Sequence, residues 1–193
     1  MNFNIFLYVV FIIIVCLVLK NDGEYHLTSK NSLTDNFYLK IIYPVELQNF
    51  YTLSPAKIGP QFNSTYSNAS LVIAQPEHGC SNLQNSQNIT SKIALIIRGG
   101  CSFVVKIINA QLAGASAVIV YDYSQLNKRL ISMVHDDTGR QVHIPSAFMN
   151  GVDGHRVSSV LNSLNLDSAT VVFPLNVTGL PLFYQKVITW TLW

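Results

Sequence analysis

The chain has 193 residues, of which 49% are hydrophobic and 11% charged, and its net charge is +2. This size and composition suit one globular domain with a packed core and exclude a disordered chain. The charges are scattered, and no basic run interleaved with aromatic residues offers a surface for a phosphate backbone. We therefore expect no nucleic-acid partner.

The N-terminus carries an uncharged apolar run. Residues 5–19 (IFLYVVFIIIVCLVL) contain no charge, glycine or proline, and Lys20 ends the run. About 15 residues are too few for a membrane-spanning helix, which needs about 20. The run predicts a signal peptide over residues 1–22, and hence a protein secreted through the endoplasmic reticulum and Golgi with no membrane span after cleavage. An uncleaved signal anchor that holds a lumenal domain is the alternative.

Two further features fit an oxidising, lumenal compartment. Four N-glycosylation sequons follow the run, at Asn63, Asn68, Asn88 and Asn176. Once Cys16 leaves with the signal peptide, Cys80 and Cys101 remain, and an even pair in such a compartment predicts a disulfide.

Strands separated by turn-rich segments follow the leader. β-branched and aromatic residues predict a strand at Phe37–Tyr43. Residues 47–70 hold two prolines and a glycine, and they predict loop with short strands. A short apolar strand is predicted at residues 71–75, before Pro76.

The next segment predicts a βαβ unit. Ile93–Ile97 and Ala117–Tyr121 are continuously apolar, as strands covered on both faces are. A helix is predicted between them over residues 103–113, with Ser102 as its N-cap and Gly114 as its left-handed end. The two strands should therefore be parallel and joined by a right-handed crossover.

The predicted helix is amphipathic. Its apolar residues recur at spacings of three and four, so one stripe should lie on the sheet. Lys106 and Asn109 fall on the opposite side, which we expect to be a solvated face or to bond locally to the next loop.

Residues 122–141 form a long polar loop, and loops of this length are often functional. A strand is predicted at residues 144–149, a second amphipathic helix at residues 152–164, and a strand at residues 169–173. Residues 176–193 hold one proline and two tryptophans, and we expect this tail to pack on the domain.

Two segments resemble the protease-associated (PA) domain family. Residues 93–122 (IALIIRGGCSFVVKIINAQLAGASAVIVYD) are similar to its signature segment, and residues 144–157 (IPSAFMNGVDGHRV) to a later element. The resemblance implies a mixed α/β fold, a β-barrel or sandwich flanked by two helices, over residues 37–175. It also implies a domain that binds or shields and does not catalyse.

The residues with potentially catalytic or ligand-binding side chains match no enzyme motif. Gly99 and Gly100 precede a helix but match neither GxxxxGK[ST] nor GxGxxG, so we expect no nucleotide and no other cofactor. Cys101 at the helix start could be a nucleophile only if it were unpaired. The alternative is a lumenal metal-dependent hydrolase that uses His135, His143 and the neighbouring aspartates, although their spacing matches no standard metal site.

The candidate binding residues lie where a parallel strand ends. Ligands of open α/β sheets bind at the carboxyl ends of strands, which singles out Tyr121 and Tyr123. Asp122, Arg129 and His135 in the same loop complete the candidate site. The partner is expected to be a protein or peptide bound by a monomer.

Overall fold

The computed structural model describes residues 36–175. Within this range seven strands form a closed barrel in the order β1-β2-β6-β5-β4-β3-β7. The strands are β1 (Phe37–Tyr43), β2 (Asn49–Pro55), β3 (Tyr66–Ile73), β4 (Ile93–Ile97), β5 (Ala117–Tyr121), β6 (Ser146–Met149) and β7 (Ser168–Leu175). The mixed α/β barrel expected from the sequence is confirmed.

Two longer helices flank the barrel, α2 (Phe103–Leu112) and α3 (Gly151–Ser163), as predicted. A one-turn helix α1 (Ser86–Ile89) and a 3-10 turn (Val45–Leu47) were not predicted. The predicted cap of α2 is present, because the Ser102 side chain accepts a hydrogen bond from the Val105 amide. Gly114 follows the helix with φ of +79°, the left-handed conformation expected of it.

The barrel has a parallel half and an antiparallel half. The pairs β3–β4, β4–β5 and β5–β6 are parallel, whereas β1–β2, β1–β7, β2–β6 and β3–β7 are antiparallel. Ile93 of β4 lies opposite Ala117 of β5, and the register continues to Ile97 opposite Tyr121. The predicted βαβ unit, β4-α2-β5, is therefore confirmed.

Alternate residues of the parallel strands feed two apolar cores. Leu95 and Ile119 point into the barrel interior, where Val157 and Leu161 of α3 join them. Ile96 on the other face packs under α2. Every residue of β5 is buried, as the continuously apolar sequence predicted.

Several boundaries differ from the sequence prediction. The segment 47–70 contains all of β2, and β3 begins at Tyr66 rather than at residue 71. Asn68 has φ of +53°, and the β3–β7 register shifts between Tyr66 and Ala69. A bulge of this kind can contain residues that are common in turns. Composition alone therefore predicted too short a β3.

The remaining sequence predictions concern residues beyond this range. The signal peptide over residues 1–22, the tail over residues 176–193 and the sequon at Asn176 lie outside the described residues. Within residues 36–175 no helix is long and apolar enough to cross a membrane.

Candidate interaction site

A disulfide ties the start of α2 to the turn before β4. Cys80 and Cys101 are joined with their Cα atoms 5.7 Å apart, as the cysteine pair predicted. Gly100 has φ of +81°, and a Cβ added there would lie 3.0 Å from the Cys80 sulfur. A residue with a side chain would therefore be strained at this corner and crowded against the disulfide.

Lys106 lies beneath this corner and is fully buried. Its Nζ donates hydrogen bonds to the carbonyl oxygens of His78 and Gly99, both at 2.5 Å, and lies 3.5 Å from the Cys80 sulfur. One turn along α2, Asn109 Nδ2 donates to the Gly79 carbonyl at 2.9 Å. The solvated face that we expected for Lys106 is therefore wrong, and both side chains bond to turns that precede α2 rather than to the next loop.

Burial controls the charge of Lys106. Removal from water lowers the pKa of the ammonium from 10.5 to about 8. The two carbonyl acceptors favour the charged form, so an ammonium can persist there near neutral pH. Lys106 thus provides the hydrogen-bond donor for two main-chain carbonyls of the disulfide corner, those of His78 and Gly99.

An ion pair closes the carboxyl ends of β4 and β5. Arg98 Nη1 lies 2.9 Å from Asp122 Oδ2, and the Asp122 side chain is only 1% exposed. Burial alone would raise the pKa of Asp122, but bonds from the Ser124 amide and from Arg98 hold it below its ordinary value. Asp122 is therefore a charged support for Arg98.

Two aromatic rings flank the Arg98 guanidinium. Its central carbon lies 5.9 Å from the Phe103 ring centroid and 5.7 Å from that of Tyr123. The Tyr123 residue is 63% exposed, so one side of this cluster faces solvent. His155 Nε2 lies 3.0 Å from the Tyr123 carbonyl, which fixes the main chain beneath the ring.

The predicted binding residues divide into buried and exposed ones. Tyr121 is 1% exposed and packs in the barrel core, and Asp122 is held by Arg98. Neither side chain is free to contact a partner, because the strand that carries them is covered on both faces. Tyr123 and Arg129 are exposed and His135 is partly exposed, and their role in binding stays a prediction.

The loop between β5 and β6 is pinned at two places. Near its start, the amide of Gly151 donates to the Asn127 carbonyl at 2.8 Å, and in its middle the buried Met133 accepts from the Lys57 amide. Between and beyond these anchors, apolar side chains remain exposed: Leu126 by 88% and Val134 by 58%. We call Tyr123, Leu126, Arg129 and Val134 the loop surface.

The residues of the metal alternative are occupied by local bonds. His135 Nε2 lies 3.0 Å from the Arg140 carbonyl, and Asp136 Oδ2 lies 2.7 Å from Arg140 Nη2. His143 is exposed, and its amide donates to the Gln111 side chain of α2. Among residues 36–175 no group of three or more histidine, cysteine, aspartate and glutamate side chains could hold a metal ion.

Several known proteins are similar to this chain. A family model described as the PA domain matches residues 67–157, which include the disulfide corner and the Arg98 cluster. The chain belongs to the PA-domain family. It is similar to a PRADC1-like protein of Drosophila melanogaster, with 32% identity over 159 residues that cover 80% of this chain and 81% of that protein. This agrees with the resemblance of the whole sequence to the small protease-associated domain-containing protein 1.

Other similar proteins are much longer than the region they share with this chain. Receptor homology region, transmembrane domain- and RING domain-containing protein 2 of Arabidopsis thaliana is 37% identical over 105 residues, covering 50% of this chain and 23% of that protein. An aminopeptidase from Aneurinibacillus sp. strain AM-1 superposes with a TM-score of 0.51 and 23% identity, over 72% of this chain and 30% of the enzyme. This second likeness shows the fold alone.

Proposed function

We propose that this chain is a secreted, N-glycosylated PA-domain protein that binds a protein or peptide and has no enzymatic activity. It enters the endoplasmic reticulum through its N-terminal apolar run and leaves through the Golgi. Cys80 and Cys101 pair on the way, because that compartment favours disulfides. The relatives support a binding role, since one is named for a receptor homology region and the PRADC1-like protein is named for no activity.

The observation that carries the binding role is the loop surface beside the Arg98 cluster. Exposed aromatic side chains together with arginine are groups enriched at protein interfaces. Here they stand on a segment that bonds to Gly151 of α3 and to Lys57, which follows β2, so less conformational entropy is lost when a partner binds. Lys128 and Arg129 are exposed and form no ion pair with another described residue. A partner with acidic groups next to an apolar side chain would complement this surface.

Affinity capture tests the binding role. The glycosylated protein is immobilised and exposed to conditioned extracellular medium, alongside Tyr123→Ser and Tyr43→Ser. Tyr43 is 53% exposed at the end of β1 and serves as the matched control. We expect the wild type and Tyr43→Ser to retain the same protein or peptide and Tyr123→Ser to lose it. Equal retention by all three would exclude the loop surface as the binding site.

N-terminal sequencing of the mature protein from the medium tests the secretion. Cleavage near residue 22 and recovery from the medium are expected. A retained Met1 on a membrane-bound product would instead support the signal anchor.

A further inference from the structure

A groove lies between the end of β3, helix α1 and the last turn of α3. It encloses about 260 Å³. Its walls are mostly polar and carry side-chain amides, and the partly buried Ile73 and Leu166 are apolar residues among them. The groove is lined by none of the residues of the loop surface.

The groove walls are held in place by hydrogen bonds. Asn85 donates from Nδ2 to the Ile73 carbonyl at 2.8 Å and accepts the Gln75 amide at 2.9 Å, which fixes α1 against the end of β3. On the other side, the Leu166 amide donates to the Leu161 carbonyl at 2.9 Å and closes the end of α3. The groove is therefore built before any ligand enters.

The polar groups of the groove suit a neutral hydroxylated ligand. The side-chain amides of Gln75 and Asn162 bond to no other side chain or main-chain group within residues 36–175. Each amide offers both donors and an acceptor, as hydroxyl groups require. The carboxylates of Glu77 and Asp167 also line the groove and would repel an anion. The volume is below the range of about 300 to 1,000 Å³ for drug-sized ligands, which favours a single ring such as a sugar.

Asn88 identifies the source of that sugar. It is the acceptor of the sequon Asn88-Ile89-Thr90, it is exposed, and it forms part of the groove wall. Asn63 and Asn68 are also exposed sequon residues, but neither lines the groove. The first sugar of a glycan attached to Asn88 therefore lies next to the groove. The covalent bond to Asn88 gives that sugar a high effective concentration at the groove.

We propose that the first sugar of an N-glycan on Asn88 packs into this groove, against Leu166 and the amides of Gln75 and Asn162. The proposal rests on the N-glycosylation included in the proposed function. It makes the Asn88 glycan a structural part of the domain, whereas glycans on Asn63 and Asn68 extend into solvent.

Site-resolved deglycosylation tests the packing. The full-length protein secreted by a eukaryotic cell is treated in its native state with a peptide N-glycosidase, and release at each sequon is followed by mass spectrometry. We expect release at Asn88 to be about tenfold slower than at Asn63, the factor that corresponds to about 1.4 kcal/mol of docking. After denaturation the two rates should become equal.

A groove variant and a matched control sharpen this test. Asn162→Ala removes one amide partner and should speed native release at Asn88 about threefold, as expected for the loss of one hydrogen bond. Ser159→Ala changes an exposed residue of the same helix outside the groove and should leave the rate unchanged. Asn88→Gln should also lower the Tm of the secreted protein more than Asn63→Gln does, but not that of unglycosylated protein from bacteria.

Three outcomes would overturn the packing. Equal native release at Asn88 and Asn63 would show that the Asn88 glycan is free. An unmodified Asn88 beside an occupied Asn63 would remove the packed glycan while leaving the proposed function intact. A chain with no occupied sequon would contradict both proposals.

Discussion

The disulfide corner and the loop surface are neighbours in the fold but are built in opposite ways. At the corner, the disulfide joins Cys80 to Cys101, and the Lys106 and Asn109 side chains donate hydrogen bonds to main-chain carbonyls. In the loop, no main-chain amide of residues 130–134 donates a hydrogen bond to another described residue. The comparison shows how the cross-linked corner can hold in place a loop that has few main-chain hydrogen bonds and exposed apolar side chains.

Arg98 joins the two regions. Its amide donates to the Tyr121 carbonyl at 2.7 Å, and its side chain reaches Asp122 and the Tyr123 ring. Rigidity at the corner therefore sets the position of the first residue of the loop surface. Changes at the corner should alter stability, whereas changes on the loop surface should alter binding and leave stability nearly unchanged.

Removal of the disulfide should have the largest effect. Cys80→Ala with Cys101→Ala opens a loop with a sequence separation of 21. Its closure is worth about 3 kcal/mol in the chain-entropy model. We expect the free energy of unfolding from guanidinium titration to fall by about this amount. A fall below about 0.5 kcal/mol, the size of an ordinary surface change, would mean that the corner does not depend on the covalent link.

Replacement of the buried lysine should come next. Lys106→Met keeps the length of the side chain but leaves the His78 and Gly99 carbonyls without their donor. Buried groups that lose a partner cost about 1 to 3 kcal/mol, so we expect a loss of about 2 kcal/mol. Lys57→Met, at an exposed lysine, is the control and should change stability little. Equal effects of the two variants would restore the solvated lysine predicted from the sequence.

The cap of α2 should contribute less. Ser102 accepts from the Val105 amide and donates to Asp136 of the loop, so it links the corner to the loop. Ser102→Ala should cost about 1 kcal/mol, the usual value of an N-cap. Amide exchange of Val105 should become faster at the same time. Unchanged stability and exchange would show that this cap does not hold the helix start.

A pH dependence of stability should accompany the burial of Lys106. Because burial lowers the pKa of Lys106 to about 8, the folded protein releases this proton before the unfolded chain, whose lysine titrates near 10.5. The unfolded state binds more protons between these values, so this residue adds stability as the pH rises from 8 to 10.5. Burial also raises the pKa of Tyr51, Tyr66 and Tyr121, which has the opposite effect on stability.

Lys106→Met isolates the lysine from the tyrosines, which both proteins share. The Tm of the wild type should rise relative to that of Lys106→Met between pH 7.5 and about 10. A constant difference between the two proteins would mean that the Lys106 pKa is not lowered.

The βαβ unit could be predicted from the sequence because its signals are local. The apolar runs of β4 and β5, the Ser102 cap and the Gly114 end are all set by neighbouring residues. The disulfide was also predictable, since only two cysteines remain after the predicted signal peptide. In contrast, closure of the barrel joins β7 to both β1 and β3, and no pattern within these strands specifies such distant partners.

The candidate site was predicted only in part. The sequence indicated the loop after β5 and predicted burial of the strand that ends at Tyr121, but it could not show that an ion pair with Arg98 buries Asp122. Lys106 was missed because its partners, His78 and Gly99, approach only when the disulfide folds the preceding turn onto α2. One sequence pattern did point to this pair of side chains. Lys106 and Asn109 lie three residues apart on one side of a helix whose start follows a paired cysteine.

Native-state hydrogen exchange tests the contrast between frame and loop most directly. The amides of Ile97, Arg98 and Lys106 donate hydrogen bonds within the fold. Their acceptors are the carbonyl oxygens of Glu77, Tyr121 and Ser102. We predict slow exchange at these three amides, fast exchange at residues 130–134, and loss of protection at the corner when Cys80 and Cys101 are both replaced by alanine. Protection of the loop equal to that of the corner, or a corner unaffected by loss of the disulfide, would contradict the account.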